Sequence, residues 1–446
     1  MNNNMPPFSS VSAKWLYDSP VNSDVEVKLR QFLVENADKI IGIQVCAYKD
    51  GKVIIDTAAG VLGIDDDDPR PVQPDSLFPV FSATKGVTSG LVHWLVDKGK
   101  LKLDDNVAKI WPEFGINGKD QIKVNHILNH TAGLHNALAG ISEEDHLSLF
   151  CNFSECIKCI AAVCPETKPG SVQLNHYLSY GWLCGGIIEH ASGEKFQDIL
   201  EKAFVRPLNV EGEFYIGIPT GVESRLATLT VDEDELILMA KILTPDRFTY
   251  MPSTFSFDVV SNLITISNTI KVRRAILPAS NGHFSARALA RYYATLVDGG
   301  VVPPIHSSSL PPLGSHPHNP GSPSKKTTHE VDMTKIFNNS KEEVLDAFLG
   351  LGDHKDLIVP NGMFGLGFNK VKATNDSIIG FGHTGLGGST GYCDISNRFA
   401  ISVTLNKLSM GAFTGEIINL ICSELDLPIL KMYKGSMEKN KKLVIN

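Results

Sequence analysis

Two hairpin signals stand near opposite ends of the chain, and together they limit how it can fold. "IGIQVCAY" and "KVIIDTAAG" (residues 41–48 and 52–60) flank Asp50-Gly51, a pair that suits a tight turn between β-rich runs. Near the far end, "GYCDI" and "FAISVTLN" flank Ser396-Asn397-Arg398 in the same manner. A helix is expected beside each hairpin. Ser23 to Glu26 reads as a capping box ahead of the apolar stripe Val25, Leu29, Phe32 and Leu33, and Ile417, Leu420, Ile421 and Leu425 line one side of a final helix. Between them, from about Ser82 to Arg291, the pattern is mostly helix and loop. The simplest arrangement is an α/β fold: an antiparallel sheet built from both ends and flanked by the terminal helices, plus a mostly helical subdomain.

That reading divides the chain into an α/β part at about 23–81 and 280–430 and a helical part at about 82–279, with flexible tails at 1–22 and 431–446. Residues 301–330 are rich in Pro, Ser and His and poor in apolar side chains, so a disordered or lid-like loop is expected there.

With 43% hydrophobic and 20% charged residues among 446, a sizeable core can form. The net charge of −8 is spread along the chain without a basic stripe, which argues against nucleic acid; the acidic run Asp65–Asp68 reads as a loop tip. No apolar run reaches the roughly 18 residues that span a bilayer. The first twenty residues lack a charged start followed by an apolar core, so no secretory signal is read. With eight cysteines, this points to free thiols in a reducing, cytoplasmic setting; the Ser-rich start leaves an organelle as the alternative.

Cys151, Cys156, Cys159 and Cys164 cluster in "CNFSECIKCIAAVC", whose spacing is that of a helix burying one face; a zinc-binding regulator is the rival reading. His126 and His130 lack an acidic partner at metal spacing and are expected in packing and turns, so neither metal nor cofactor is expected. Trp94 and Trp111 are expected in the core, and Arg287 and Arg291 salt-bridged or exposed on a helix.

The chemistry concentrates in "LFPVFSATKGVTSGLVHWLVDKGKL" (residues 77–101). Ser82 and Lys85 stand three apart at the start of an expected long amphipathic helix, so hydroxyl and amine share a face. A lysine can take a serine's proton only if burial or nearby cations lower its pKa, and the apolar residues on both sides offer burial. The same spacing also fits a helix start with a solvated lysine, and the pair alone does not decide.

Its context does. Phe78-x-x-x-Ser82-x-x-Lys85, then "GKLKLDD", "HILNHTAGL", "PGS", "YGWLCGGIIEHASGEKF", "NGHFSARALARYYATLVDGG", "FGLGF" and "GFGHTGLGGSTGYCDISNRFAISVTLNK" follow in order. This succession, over about Val25 to Leu427, resembles the serine beta-lactamase, penicillin-binding-protein and esterase family of the class C type. It is similar, too, to the beta-lactamase-related half of plant proteins that fuse it to an atypical kinase domain, though no kinase segment lies in these 446 residues. The resemblance implies a beta-lactamase/transpeptidase-like fold, with Ser82 as acyl-accepting nucleophile and Lys85 as its proton acceptor. It places His383-Thr384-Gly385 on the family's Lys-Thr-Gly, with His in place of Lys as in many family esterases. The backbone N–H groups of Leu386 and Ser82 would form the oxyanion hole, and His383 would orient a substrate carboxylate or carbonyl.

The sequence departs from the family at its Tyr-x-Asn motif. In "PGSVQLNHYLSYGW", Asn175 stands where the tyrosine is expected and Tyr177 where the asparagine is. Either Tyr177 serves in a shifted Tyr-x-Ser, or the proton-shuttling tyrosine is lost; asparagine can only hydrogen-bond. The expected function is a serine hydrolase acting through acyl-Ser82 on a small ester or amide. The alternatives are an acyltransferase of the same fold and a catalytically silent scaffold, with the choice between monomer and homo-oligomer open.

Overall fold

The computed structural model describes residues 15–64, 70–138, 148–243, 257–305, 309–316 and 335–434. The acidic run at 65–68, the outer tails and most of the Pro-rich stretch (306–308 and 317–334) lie outside the described residues. In chain order, helix α1 (Asp24–Glu35) precedes strands β1 (Gly42–Lys49), β2 (Lys52–Gly60) and β3 (Phe78–Pro79). Helices α2 (Thr84–Asp97), α3 (Phe153–Ala162) and α4 (Ser179–Ser192) follow, then β4 (Phe214–Ile216), β5 (Gly282–Phe284) and α5 (Ala286–Val297). Strands β6 (Asn369–Lys372), β7 (Ile378–Thr384), β8 (Thr390–Asp394) and β9 (Phe399–Leu405) and helix α6 (Ala412–Glu424) close the fold.

The two hairpins meet as expected. The main antiparallel sheet runs β2-β1-β9-β8-β7-β6, joining the ends of the chain through β1 and β9, where Ile43 lies opposite Leu405. The β1–β2 turn has Asp50 and Gly51 at φ +52° and +74°, the left-handed geometry that Asp-Gly tolerates. Both faces of the sheet are covered. Ile43, Val45 and Val403 pack with Leu29, Leu33 and Ile417 of the terminal helices, while Cys46 and Tyr48 face the other way into the larger core. This double covering explains why β1 is buried along nearly its whole length instead of alternating.

Local details depart from expectation for identifiable reasons. Ser23 caps α1 by accepting the Glu26 N–H at 3.2 Å, but the Glu26 carboxylate accepts from Asn22 N–H (2.6 Å), Asp56 N–H and the Thr57 hydroxyl, so the box is one-sided. On α6 it is Ile418, not Leu420, that is fully buried beside Ile417 and Ile421. Residues at the end of the expected tail are tied down: Leu16 bridges to Ala59 of β2, and Arg30 donates to the Ser19 carbonyl at 2.8 Å.

Arg287 of α5 is salt-bridged to buried Glu213, its Nε donating at 2.7 Å. Arg291 is not exposed and pairs with no acid among the described residues; it is buried and donates to the carbonyls of Leu208 and Pro304. Trp94 and Trp111 are buried in the core.

The helical middle also contributes β4 to a small antiparallel sheet ordered β3-β5-β4, whose other two strands come from the segments on either side of it. Helix α3 buries Phe153, Cys156, Ile157 and Ile160 on one face. Of the four clustered cysteines, however, Cys156 alone is buried: Cys151 and Cys159 are half-buried and Cys164 is exposed, because they lie off that face or beyond the helix ends. Among the described residues, no three His, Cys, Asp or Glu side chains gather at metal-holding distance, and no helix is long and apolar enough to cross a membrane. The described part of the Pro-rich stretch is fastened at the β2 edge: Ser309 donates to Asp56 of β2, and His316 pairs with Asp75 at 2.8 Å. Four strand positions separate β2 from β7 in the sheet.

Candidate active site

Ser82 sits where β3 turns into α2. Thr84 and Lys85 donate their backbone N–H groups to the carbonyls of Phe81 and Ser82 at 2.9 Å, starting the helical winding. The Thr84 hydroxyl donates to the Phe81 carbonyl (2.5 Å) and accepts the Gly282 N–H (2.8 Å), tying this turn to β5. The sharpness of the turn is taken up at Phe81, at φ +45°, a left-handed conformation costing a non-glycine residue about 1–3 kcal/mol. Phe81 can hold it because its ring is buried in a small apolar cluster with Leu229, Met239, Ile264 and Leu408.

The helix that follows is not amphipathic. Every residue from Thr84 to Leu95 is buried. Lys85 is therefore fully enclosed; its Nζ lies 3.0 Å from the Ser82 Oγ and 3.1 Å from the Ala279 carbonyl oxygen. No carboxylate pairs with it among the described residues. Burial without a counter-charge lowers its pKa to about 7, leaving a lysine that is substantially neutral at physiological pH.

The other wall comes from β7. His383 lies opposite Gly391 of β8, and its Nδ1 is 2.9 Å from the Thr384 carbonyl oxygen. A carbonyl only accepts, so Nδ1 carries the proton and Nε2 is a lone pair. Nε2 is buried and has no partner among the described residues. Burial, and secondarily the field of Lys85, hold His383 at a pKa of about 3, hence neutral. With its proton at Nδ1, the ring has no N–H at Nε2 to offer the substrate carboxylate or carbonyl that His383 was expected to orient.

Gly86 lets α2 and α5 approach: a Cβ there would fall 2.3 Å from the Tyr293 hydroxyl, while the His383 Cβ of β7 would stand at an ordinary contact distance of 3.5 Å. Gly385 lets the end of β7 approach the turn before Ser82, since a Cβ there would fall 2.1 Å from the Val80 carbonyl oxygen. This close approach brings the strand end beside the nucleophile turn. Leu386 packs on the same apolar cluster as Phe81, and neither the Leu386 N–H nor the Ser82 N–H has a hydrogen-bond partner among the described residues.

Asn175 and Tyr177 flank His176, which pins their segment. The His176 N–H donates to His130 Nδ1 (3.0 Å), its Nε2 accepts from Leu134 N–H (3.2 Å), and its Nδ1 donates to the Leu174 carbonyl (2.7 Å). His130 is thus a packing residue, at φ +62° and stacked on Tyr180 at 4.6 Å. His126 accepts the Lys123 N–H at a helix start. Burial raises the Tyr177 pKa, and the Asn175 side chain beside the phenol opposes that rise. Asn175 Oδ1 is buried without a partner, and among the described residues no hydrogen bond joins either side chain to Ser82 or Lys85.

The Ala279 carbonyl, Gly86 and Thr84 carry weight that sequence reasoning missed. Thr84 had a visible signal, a hydroxyl at a helix start; a main-chain carbonyl has none.

Residues 29–419 match the Beta-lactamase family. The chain belongs to that family. Esterase/beta-lactamase LipL of Mycobacterium tuberculosis is 28% identical to this member of the Beta-lactamase family over 377 residues, 82% of this chain and 77% of the relative. Esterase EstB of Burkholderia gladioli is 25% identical over 39% of this chain and 46% of its own length. Among solved structures, a family VIII carboxylesterase superposes with a TM-score of 0.65 at 22% identity, covering 88% of this chain and 94% of that one. EstA of Arthrobacter nitroguajacolicus Rue61a gives 0.64 at 23% identity, covering 91% and 99%. The observed architecture, an antiparallel sheet with helices on both faces and a helical region, is the fold of those two solved structures. This member of the Beta-lactamase family is a serine hydrolase of the esterase and beta-lactamase-related type.

Proposed function

We propose that the protein cleaves a small-molecule ester or amide through an acyl-Ser82 intermediate, with Lys85 moving the protons. The observation that carries this reading is the 3.0 Å approach of Lys85 Nζ to Ser82 Oγ inside a fully buried helix. A neutral amine there can accept the hydroxyl proton as Oγ bonds to the substrate carbonyl carbon. The developing oxyanion is received by the N–H groups of Ser82 and Leu386. The bond to the leaving group then breaks, and the leaving group takes the proton from Lys85. In the second half, an acceptor attacks the acyl carbon, Lys85 takes its proton, and Ser82 Oγ leaves and is reprotonated.

Tyr177, whose phenol has the Asn175 side chain beside it, is assigned to that second half. With no phenol hydrogen-bonded to Lys85 among the described residues, water is weakly activated and the acyl-enzyme is long-lived. This favours a second reading, transfer of the acyl group to an alcohol or amine. EstCE1, which shares the fold (TM-score 0.61, 17% identity), is described as a hydrolase with promiscuous acyltransferase activity. A silent scaffold is disfavoured, since a buried lysine without a counter-charge is costly to retain for structure alone.

Labelling by a fluorophosphonate, beside a Ser82→Ala control, tests the nucleophile: wild type should label and the control should not. Turnover of a p-nitrophenyl ester with and without added alcohols or amines separates hydrolysis from transfer. Acceptors that neither speed release nor appear in products rule out transfer.

A further inference from the structure

We infer that His383 marks a subsite that accepts a hydrogen bond from a neutral donor on the substrate, an amide N–H, and that it rejects carboxylates. The inference deepens the acyl-Ser82 reading and rests on it. Its basis is the fixed tautomer. The Thr384 carbonyl, 2.9 Å from Nδ1, can only accept, so the ring presents a lone pair at Nε2. That lone pair is enclosed and lacks a partner among the described residues. A buried acceptor left unpaired is costly, and a bound N–H group relieves the cost, so donor-bearing substrates gain where donor-free isosteres do not.

A carboxylate meets the opposite situation. It would set negative charge against a lone pair, and the cation within reach is Lys85, which burial leaves only partly charged near neutral pH. Protonating His383 to receive the anion is opposed by the same enclosure. The lysine that the family motif carries at this position would attract anions; the histidine, held as a neutral acceptor, asks for a donor.

The test uses two matched series, because the subsite could meet either side of the scissile bond. The acyl series is the p-nitrophenyl esters of N-acetylglycine, of levulinic acid (CH2 in place of N–H) and of glutaric acid (a free carboxylate). The leaving-group series is the acetate esters of meta-hydroxybenzamide, meta-hydroxyacetophenone and meta-hydroxybenzoate. In one series or the other, kcat/KM for the amide should exceed that for the ketone by about ten-fold, with the carboxylate lowest. The amide-to-ketone ratio should fall to near one in His383→Leu, whatever happens to absolute rates. His383→Gln, whose amide oxygen can still accept, should retain part of it.

Equal amide and ketone rates in both series, preference for the carboxylate, or a ratio that survives His383→Leu overturns the inference. Fluorophosphonate labelling of the same samples separates the two levels. Labelled Ser82 without selectivity sinks this inference alone, whereas unlabelled, inactive protein removes the acyl-serine reading with it.

Discussion

The Lys85 amine lies 3.0 Å from the Ser82 hydroxyl, in a helix whose residues from Thr84 to Leu95 are all buried. Activity should therefore follow the deprotonation of Lys85, with kcat/KM rising through a limb near pH 7 and level above it. Lys85→Arg, which stays charged, should lose about 10²–10⁴-fold and show no limb near 7. A pH–rate profile reads both.

The same burial has a stability signature. The folded pKa of Lys85 lies below its unfolded value of 10.5, so between about pH 7 and 10.5 the unfolded chain binds more protons. The stability penalty is full below pH 7 and fades as pH rises toward 10.5. Relative to Lys85→Met, wild type should gain up to about 1.4 kcal/mol per pH unit across that window. Urea unfolding at several pH values measures it; a difference that is flat with pH contradicts the assignment.

Gly385→Ala places a methyl 2.1 Å from the Val80 carbonyl oxygen, a main-chain atom that cannot rotate away. The strand end must move from the nucleophile turn, taking the Leu386 N–H with it. Loss of an oxyanion donor costs about 10²–10³ in kcat. The expected result is a fall of that size together with a lower Tm.

Asn175→Tyr restores a phenol where the family carries its tyrosine. Pre-steady-state bursts should shorten as deacylation quickens, while the acylation rate stays close to wild type. Tyr177→Phe should slow transfer to added alcohols more than it slows the burst. If Tyr177→Phe abolishes the burst itself, Tyr177 acts in acylation and the assignment made here fails.

Met239 is fully buried in the cluster that holds both Phe81 and Leu386. Met239→Ala should cost about 2–5 kcal/mol and also lower kcat, because the side chains flanking nucleophile and oxyanion hole share that anchor. Glu213→Gln gives a contrast. It breaks the buried pair with Arg287 and should destabilise by about 3–5 kcal/mol, leaving the pH limb unmoved. Denaturation midpoints and kcat for the two variants separate an anchor of the site from an anchor of the fold.

Much of this architecture could be read from local chemistry. Asp50-Gly51 turns in the left-handed region because that dipeptide tolerates it, and the β1–β2 hairpin follows. Helix α3 buries one face through Phe153, Cys156 and Ile160, although the other three clustered cysteines are not buried. Other expectations failed where neighbours distant in sequence intervene. The α2 helix reads as one-sided, yet it is enclosed because other elements pack around it. Arg291 reads as salt-bridged or exposed on a helix, yet carbonyls at Leu208 and Pro304 meet it in the core. The apparent capping box at Ser23 is one-sided because Thr57 and Asp56 of β2 draw the Glu26 carboxylate.

The sequence by itself determined the sheet drawn from both ends, since periodicity and turn chemistry act over a few positions. The ordered motifs from about Val25 to Leu427 carried the resemblance that implied the family and the roles of Ser82 and Lys85. Tertiary structure decided the protonation states. Lys85 is a base near neutrality because its surroundings exclude water and the Ala279 carbonyl, 194 positions away, receives its N–H. His383 is an acceptor because the Thr384 carbonyl fixes its tautomer while burial and Lys85 keep it neutral. Desolvation is a property of everything packed around a group, and no local stretch of sequence records it.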